Sequence, residues 1–265
     1  MEHVREIRED EAAGTVAVTY AEIRRVLGLP FVPLVYRVLA NEPDRLAGIW
    51  AELEPNLGSD VAREAAHRLA ATPPLEVNLR VRGWAEVQLD HAAAQGTVAA
   101  FLHSNALNLI GLSALLAGVD APSATGPART MEPISRSILP MADLAALPAS
   151  TVALLEEMSV PISGPTKPIV IPSLFRHFAD DERLLATIWR TIQPTVVSAG
   201  FAGAVETIRG EARRIGLSLP YRVARVDDMQ TRRITGRFVG VSSAMLVVAQ
   251  LMVVVFSSLK VRLHR

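Results

Sequence analysis

Apolar residues recur along most of this chain at spacings of three and four, the period of an amphipathic helix. Residues 32–55 show this most clearly, and Pro43 interrupts the pattern at a position that suits the first turn of a new helix. The pattern therefore predicts two helices joined by a bend. Further helices are predicted over 60–71 and 96–118. Residues 75–95 alternate in places like a strand but have no partner run, so we expect a turn and then a helix there, and an all-α fold.

Residues 31–55 recur in altered form at residues 170–194. With a constant offset of 139, eight of the 25 paired positions are identical, and they include Trp50 and Trp189. Two copies are fewer than a solenoid needs to bury a continuous core. We therefore expect an internal duplication whose halves pack on each other as a pseudo-dimer within one chain.

The duplication divides the chain into three parts, which we expect to form one compact unit. They are a first helical repeat over 1–125, a proline-rich connector over 126–148 and a second helical repeat over 149–265. The offset between the halves changes before the paired stretch, so residues 162–169 are an insertion relative to the first half.

The last long apolar run, residues 238–259, has no charged residue and is long enough to span a membrane. Its serines, its glutamine and the basic residues at both of its ends favour a buried core helix instead. At the offset of 139 it aligns with residues 99–120, where His103, Asn105 and Asn108 make a span unattractive. A membrane span is kept as the alternative.

Composition excludes several classes of protein. The formal net charge is zero and no basic stripe is present, which argues against nucleic-acid binding. The chain has no cysteine, so disulfides, thiolate nucleophiles and thiol redox chemistry are excluded. The six histidines show no metal-ligand spacing, and no bound metal is expected. Residues 1–14 are heavily charged and lack the apolar core of a signal peptide, so we expect a cytoplasmic protein.

The best indication of function is where the two halves differ. The first half carries His103, Asn105 and Asn108 in an apolar helix, and the second half lacks these side chains at the aligned positions. Buried polar groups need partners, so the cluster predicts either a satisfied structural network or a ligand site. Pockets favour interfaces between halves. A site shared by this helix and the insertion 162–169 is therefore predicted.

Two arginines occupy equivalent positions in the two halves. Arg37 and Arg176 are paired by the offset of 139, which favours a structural role. Acidic residues close to them in the sequence, such as Glu42 and Asp180, are the partners expected for them.

Three segments together resemble the DehI family of group I 2-haloacid dehalogenases, also described as halocarboxylic acid dehydrogenase DehI proteins. They read TYAEIRRVLGLPFVPLVYRVLANEPDRLAGIW, AAFLHSNALNLIGLSAL and SGPTKPI, and the resemblance covers roughly residues 19–259. It implies an all-helical pseudo-dimer related to the AhpD-like fold, with one active site between the repeats. It also implies that water displaces halide directly from a 2-haloalkanoic acid, without a cofactor or a covalent intermediate.

The resemblance carries some of the family's site residues onto this chain. Asn105 matches an asparagine that helps to hold the water, and Phe31 matches an aromatic residue lining the substrate cavity. The family's aspartate, the general base, follows a Gly-Pro pair that matches Gly164-Pro165. Here Thr166 and Lys167 follow that pair, and no carboxylate lies between Met158 and Asp180. A different placement of the gap puts Ser173 or Leu174 at the aspartate position.

Two soluble hypotheses follow. In the first, the chain is a 2-haloacid dehalogenase-like hydrolase in which His103 replaces the missing base, beside catalytic Asn105. In the second, it is a non-dehalogenating relative that binds a small organic acid, with Lys167 supplying positive charge. Phe31, Asn108 and Thr166 complete the predicted substrate site. No cofactor is expected, and a homodimer is a possible assembly.

Overall fold

The computed structural model describes residues 2–71, 75, 84, 89–121 and 137–263. Ten α-helices account for nearly all of the regular structure in these residues, and the described part has no strand, only two isolated bridges. The prediction of an all-α fold is confirmed. Most of the stretch 75–95, where a turn and a helix were expected, and much of the predicted connector lie outside the described residues.

The helices follow in two runs of five. The first run is α1 (Gly14–Leu27), α2 (Leu34–Leu39), α3 (Pro43–Leu57), α4 (Asp60–Ala71) and α5 (His91–Ala117). The second run is α6 (Ala149–Ser163), α7 (Ser173–Arg176), α8 (Glu182–Val196), α9 (Ala199–Leu217) and α10 (Met229–Leu263). A short 3₁₀ helix, Leu144–Ala146, precedes the second run.

Local sequence explains where several helices begin. Pro43 is the first residue of α3, as predicted, and the bend before it separates α2 from α3. Helix α5 begins at His91, five residues before the predicted start, because the side chain of Asp90 accepts a hydrogen bond from the Ala93 amide and caps it. Helix α10 is longer than the predicted run, because Asp228 accepts hydrogen bonds from the backbone amides of Gln230 and Thr231.

Helices α5 and α10 form the centre of the molecule and contact each other more extensively than any other pair of described helices. Both are long and apolar enough to cross a membrane, yet 78% of the residues in the apolar stretch of each are buried against the rest of the protein. That burial is what a core helix shows, in line with the interpretation of 238–259. Location in the cell stays a prediction.

Candidate functional site

A small cavity of about 40 Å³ lies between the two runs of helices. Helices α5 and α10 form its long walls, and the residues that begin α2 and α7 close it. The α5 side consists of Phe101, Ser104, Asn105 and Asn108, and the α10 side consists of Phe238, Val241, Ser242 and Met245. Pro33, Leu34 and Val35 from the first half, and Pro172, Ser173 and Leu174 from the second, complete the lining. We call this the central cavity.

The two long walls have the same residue spacing. Each helix contributes residues at the spacing i, i+3, i+4 and i+7, and the two sets are related by an offset of 137. Asn105 therefore corresponds to Ser242 at the cavity, and not to Ala244 as the offset of 139 implied. The offset changes because 19 residues separate α4 from α5 and 11 separate α9 from α10, a difference that the greater length of α9, 19 residues against 12 in α4, only partly offsets. A constant offset cannot be carried across connections of different length.

Two amide atoms at the central cavity are buried and have no hydrogen-bond partner among the described residues, the Nδ2 of Asn105 and the Oδ1 of Asn108. The Nδ2 of Asn108 donates to the hydroxyl of Ser104 at 3.2 Å, so that side chain is only half satisfied. A buried polar atom without a partner costs about 1–3 kcal/mol. The cavity beside these atoms is large enough for water or a small ligand, which would supply the missing hydrogen bonds.

Ser173, on the cavity wall, is hydrogen-bonded to a buried charged group. The Nη2 of Arg37 donates a hydrogen bond to the Ser173 hydroxyl oxygen at 2.6 Å, and Arg37 is only 1% exposed. Because this oxygen accepts from the guanidinium, the proton of the hydroxyl is left for another acceptor. Ser173 can therefore donate into the cavity under the influence of a buried positive charge.

Arg37 and Arg176 share one carboxylate. Glu6 lies 3.1 Å from Arg37 Nη1 and 2.6 Å from Arg176 Nη1. The expected partners were wrong: Glu42 instead pairs with Arg45 on the surface. The N-terminal segment brings Glu6 to this place by pairing with both halves of the chain, since the amide of Val4 bonds the Ile169 carbonyl and that of Ile7 bonds the Arg37 carbonyl.

The two guanidinium groups face the Glu6 carboxylate, and Arg8, Glu9, Asp10 and Asp143 line the space beside them. Burial is the main influence on Arg37 and lowers its pKa, while the Glu6 carboxylate opposes that shift. Even a lowered pKa leaves an arginine protonated at neutral pH.

His103 lies away from the central cavity. It follows Phe101 by two residues, which turns it about 200° around the helix from that wall. Its Nε2 is 3.2 Å from the carbonyl oxygen of Leu27, at the end of α1. Burial lowers the pKa of His103, and Arg63 and His67 lower it further. His103 therefore packs between α1 and α4.

Thr166 and Lys167 are exposed and do not line the central cavity. Arg237 holds their loop through hydrogen bonds from its Nη2 to the carbonyls of Thr166, at 2.9 Å, and Pro168, at 2.5 Å. The two alignments considered above put the family's aspartate either just after Gly164-Pro165 or at Ser173 or Leu174. Only Ser173 and Leu174 line the central cavity. Roles in a site for His103, Thr166 and Lys167 stay predictions.

Phe31 backs the cavity wall. Its ring stacks on Phe101 with centroids 4.6 Å apart, and His177 packs against both rings. His177 was not predicted, although its replacement of Val38 at the paired position is a visible difference between the halves. Its Nδ1 donates to the Leu139 carbonyl at 2.6 Å, and burial lowers its pKa to about 4. At neutral pH His177 is therefore uncharged.

Within the described part of the chain, the lining of the central cavity includes two amides and three hydroxyls but no carboxylate and no histidine. Over the described part of the chain, no group of three or more histidine and acidic residues has an arrangement that could hold a metal ion. The lining can bind and orient a small polar molecule, and it has no side chain with the pKa of a general base.

No family model and no curated protein matches this chain. Its structure, however, is similar to solved structures described as D-2-haloacid dehalogenase. The complex with L-LA has a TM-score of 0.76 and 14% identity, covering 97% of this chain and 96% of that one. A mutant with D-2-CPA has a TM-score of 0.75 and 17% identity with the same coverage, and a further mutant has 0.74 and 14%, covering 96% and 94%. Over nearly its whole length, the chain has the helical fold of these dehalogenases.

Proposed function

We propose that this protein binds a small 2-substituted carboxylate in the central cavity and is a dehalogenase-like protein. The observation that carries the proposal is one cavity that holds buried unpaired amide atoms and a serine polarised by a buried arginine. The small volume, about 40 Å³, favours a short-chain acid.

The binding follows from the donors present. The Nδ2 of Asn105 and the hydroxyl of Ser173 donate to the carboxylate, and Arg37 supplies positive charge through Ser173. Hydrogen bonds to a charged group are about twice as strong as neutral ones. The unpaired Oδ1 of Asn108 accepts from a hydroxyl group or a water on the second carbon of the acid.

The step that would make the protein a dehalogenase is displacement of halide by water. The likeness of fold and the match of Asn105 to the family's water-holding asparagine favour this reaction. None of the described residues that line the cavity is a carboxylate able to take the proton of the water, and loss of a general base costs about 100- to 10,000-fold in rate. We therefore propose binding as the first function and halide displacement as a slow second one.

Binding is tested by calorimetry with D- and L-lactate and with D- and L-2-chloropropionate. Asn105→Leu removes the unpaired donor at similar volume, and we expect affinity to fall about tenfold or more. Lys167→Gln and His103→Gln distinguish the rival assignments, because both residues lie off the cavity and their loss leaves affinity unchanged. Absence of binding by the unaltered protein, or affinity that depends on Lys167 and not on Asn105, contradicts the proposal.

Halide release tests the reaction itself. We expect slow release from 2-chloropropionate by the natural chain and faster release when a carboxylate is installed on the cavity wall by Ser173→Asp or Leu174→Asp. A restored base is worth about 100-fold or more. No release from the natural chain or from either variant, with binding intact, would leave the protein a binder of small acids only.

A further inference from the structure

A second and much larger cavity, of about 520 Å³, lies on the opposite side of α10. It is bounded by the end of α6, the corner between α8 and α9, helix α9 itself and α10. Its walls are mainly apolar, with Ile162, Phe201 and Val205 among them, and Glu206 and Arg209 supply polar groups. Cavities of this size with mostly apolar walls and a few polar groups are typical of small-molecule sites.

The duplication shows why this space is open. At the offset of 137 that relates the walls of the central cavity, Gly240 corresponds to His103 and Ala244 to Leu107. In the first half His103 reaches the end of α1, and Leu107 is fully buried. In the second half a Cβ added at Gly240 would meet only Arg209 Nη2, at 3.9 Å. Gly240 and Ala244 on α10 are therefore too small to fill the space that His103 and Leu107 fill at the matching positions of α5.

The residues around the mouth of this second cavity also differ between the two halves. Val197, at the corner between α8 and α9, is 64% exposed, and Gly58 occupies the equivalent corner of the first half. Val160 is 40% exposed, whereas its counterpart Leu29 is 5% exposed. The second half therefore presents apolar surface around the cavity that the first half covers or lacks.

Arg209 places hydrogen-bond donors at the cavity that require an acceptor. Its Nη1 donates to Glu206 at 2.6 Å, while its Nε is buried and has no partner among the residues that the structure describes. Nε and Nη2 form one edge of the guanidinium group, and Nη2 lies over Gly240. That edge matches the two oxygens of a carboxylate, which arginine binds through two parallel hydrogen bonds.

We propose that this second cavity binds a monocarboxylate with an aliphatic or aryl body, held by the Nε edge of Arg209 and by the apolar walls. This site is independent of the central cavity and of the small acid proposed for it. Glu206 keeps its bond to Nη1 and orients the guanidinium. The apolar body contributes most of the affinity, because burial of apolar surface is the main favourable term in such sites.

The test uses the full chain and isothermal calorimetry with octanoate, octanol and lactate. We expect octanoate to bind about tenfold or more tightly than octanol, since only the acid engages Arg209. The variant Arg209→Gln should remove that preference while leaving octanol binding intact. Lactate binding, which belongs to the central cavity, should be unchanged in the variant.

A second variant places two residues of the first half at the matching positions of the second half. Gly240→His combined with Ala244→Leu should fill the cavity and abolish octanoate binding, with thermal unfolding used to show that the protein is folded. The proposal is overturned if octanoate does not bind the natural chain, if octanol binds equally well, or if the filled variant, once shown to be folded, keeps its octanoate affinity. Lactate titrations of the same samples report separately on the central cavity.

Discussion

Helices α5 and α10 present corresponding positions to the central cavity, but only α5 carries amides there. Asn105 and Asn108 face Ser242 and Met245, the residues at the matching positions of α10. On the opposite faces the contrast is reversed, because His103 and Leu107 fill space on α5 where Gly240 and Ala244 leave it open. The first run of helices is thus polar at the central cavity, whereas the second run leaves open space on its opposite side.

The equivalent arginines of the two halves also have different hydrogen-bond partners. Arg37 donates to Ser173 at the cavity wall, whereas Arg176 donates through Nε to the carbonyl of Ala142. Both pair with the single carboxylate of Glu6, which lies in the segment before the first helix. The difference shows that symmetric residues can share a structural role while only one of them contributes to a site.

The largest expected effect comes from removing the carboxylate that both halves share. Glu6→Gln leaves two buried guanidinium groups without a counter-charge, and breaking a buried pair in this way costs about 3–5 kcal/mol. The free energy of unfolding, measured with urea, should fall by that amount. Glu42→Gln is the control, because its pair with Arg45 is on the surface and is worth less than about 1 kcal/mol. Equal losses in the two variants would contradict the shared-carboxylate arrangement.

A second effect of similar size depends on pH. The folded-state pKa of His177 is about 4, below its ordinary value, so the unfolded chain binds its proton first as pH falls. Stability from this residue is therefore complete above about pH 6.5 and is lost between there and pH 4, by up to about 3 kcal/mol. His177→Val, which copies Val38 of the first half, should flatten this part of the stability curve. Parallel curves for variant and natural protein would show that His177 is not the cause.

A smaller effect links stability to binding at the polar wall. Asn105→Leu removes a buried donor without a partner, so we expect the free energy of unfolding to rise by about 1 kcal/mol in the absence of ligand. The same change weakens acid binding, as proposed above. Thermal denaturation with and without lactate measures both consequences. A loss of stability without ligand would indicate that a water or a protein group already satisfies this amide.

The smallest effect concerns the start of two equivalent helices. Asp181 caps α8 by accepting from the Leu184 amide at 3.0 Å, whereas Glu42, before α3, makes no such bond. Asp181→Ala should cost about 1 kcal/mol, and Glu42→Ala much less. Chemical denaturation of both variants checks the difference. Equal costs would show that the cap contributes nothing beyond the surrounding packing.

Much of the fold could be predicted from local patterns. The bend at Pro43, the helix over 60–71 and the burial of most of the apolar stretch of α10 all follow from periodicity and breakers. Asn105 and Asn108 could be singled out because amides are costly in an apolar helix. His177 could have been found as well, since it replaces a valine at a paired position.

Other features depended on connections that the sequence pattern does not measure. The lengths of α4 and α9 and of the connections that follow them differ between the halves, so the offset is 137 at the cavity walls and not 139, and this decides that Ser242 faces Asn105. Lys167 was expected near the acid because it follows Gly164-Pro165, but Arg237 holds its loop on the surface. Charge near the cavity comes from Arg37, whose partner Glu6 is 31 residues away in sequence.

By itself, the sequence determined that the chain is helical, that residues 31–55 and 170–194 are similar, and that one apolar helix carries amides requiring partners. These properties are encoded by neighbouring residues through helical periodicity and the cost of burying polar groups. Only the tertiary structure decided which residues share the central cavity, which arginine faces it and where the second half is hollow. Those outcomes depend on packing between distant segments, whose relative placement is set by the whole fold.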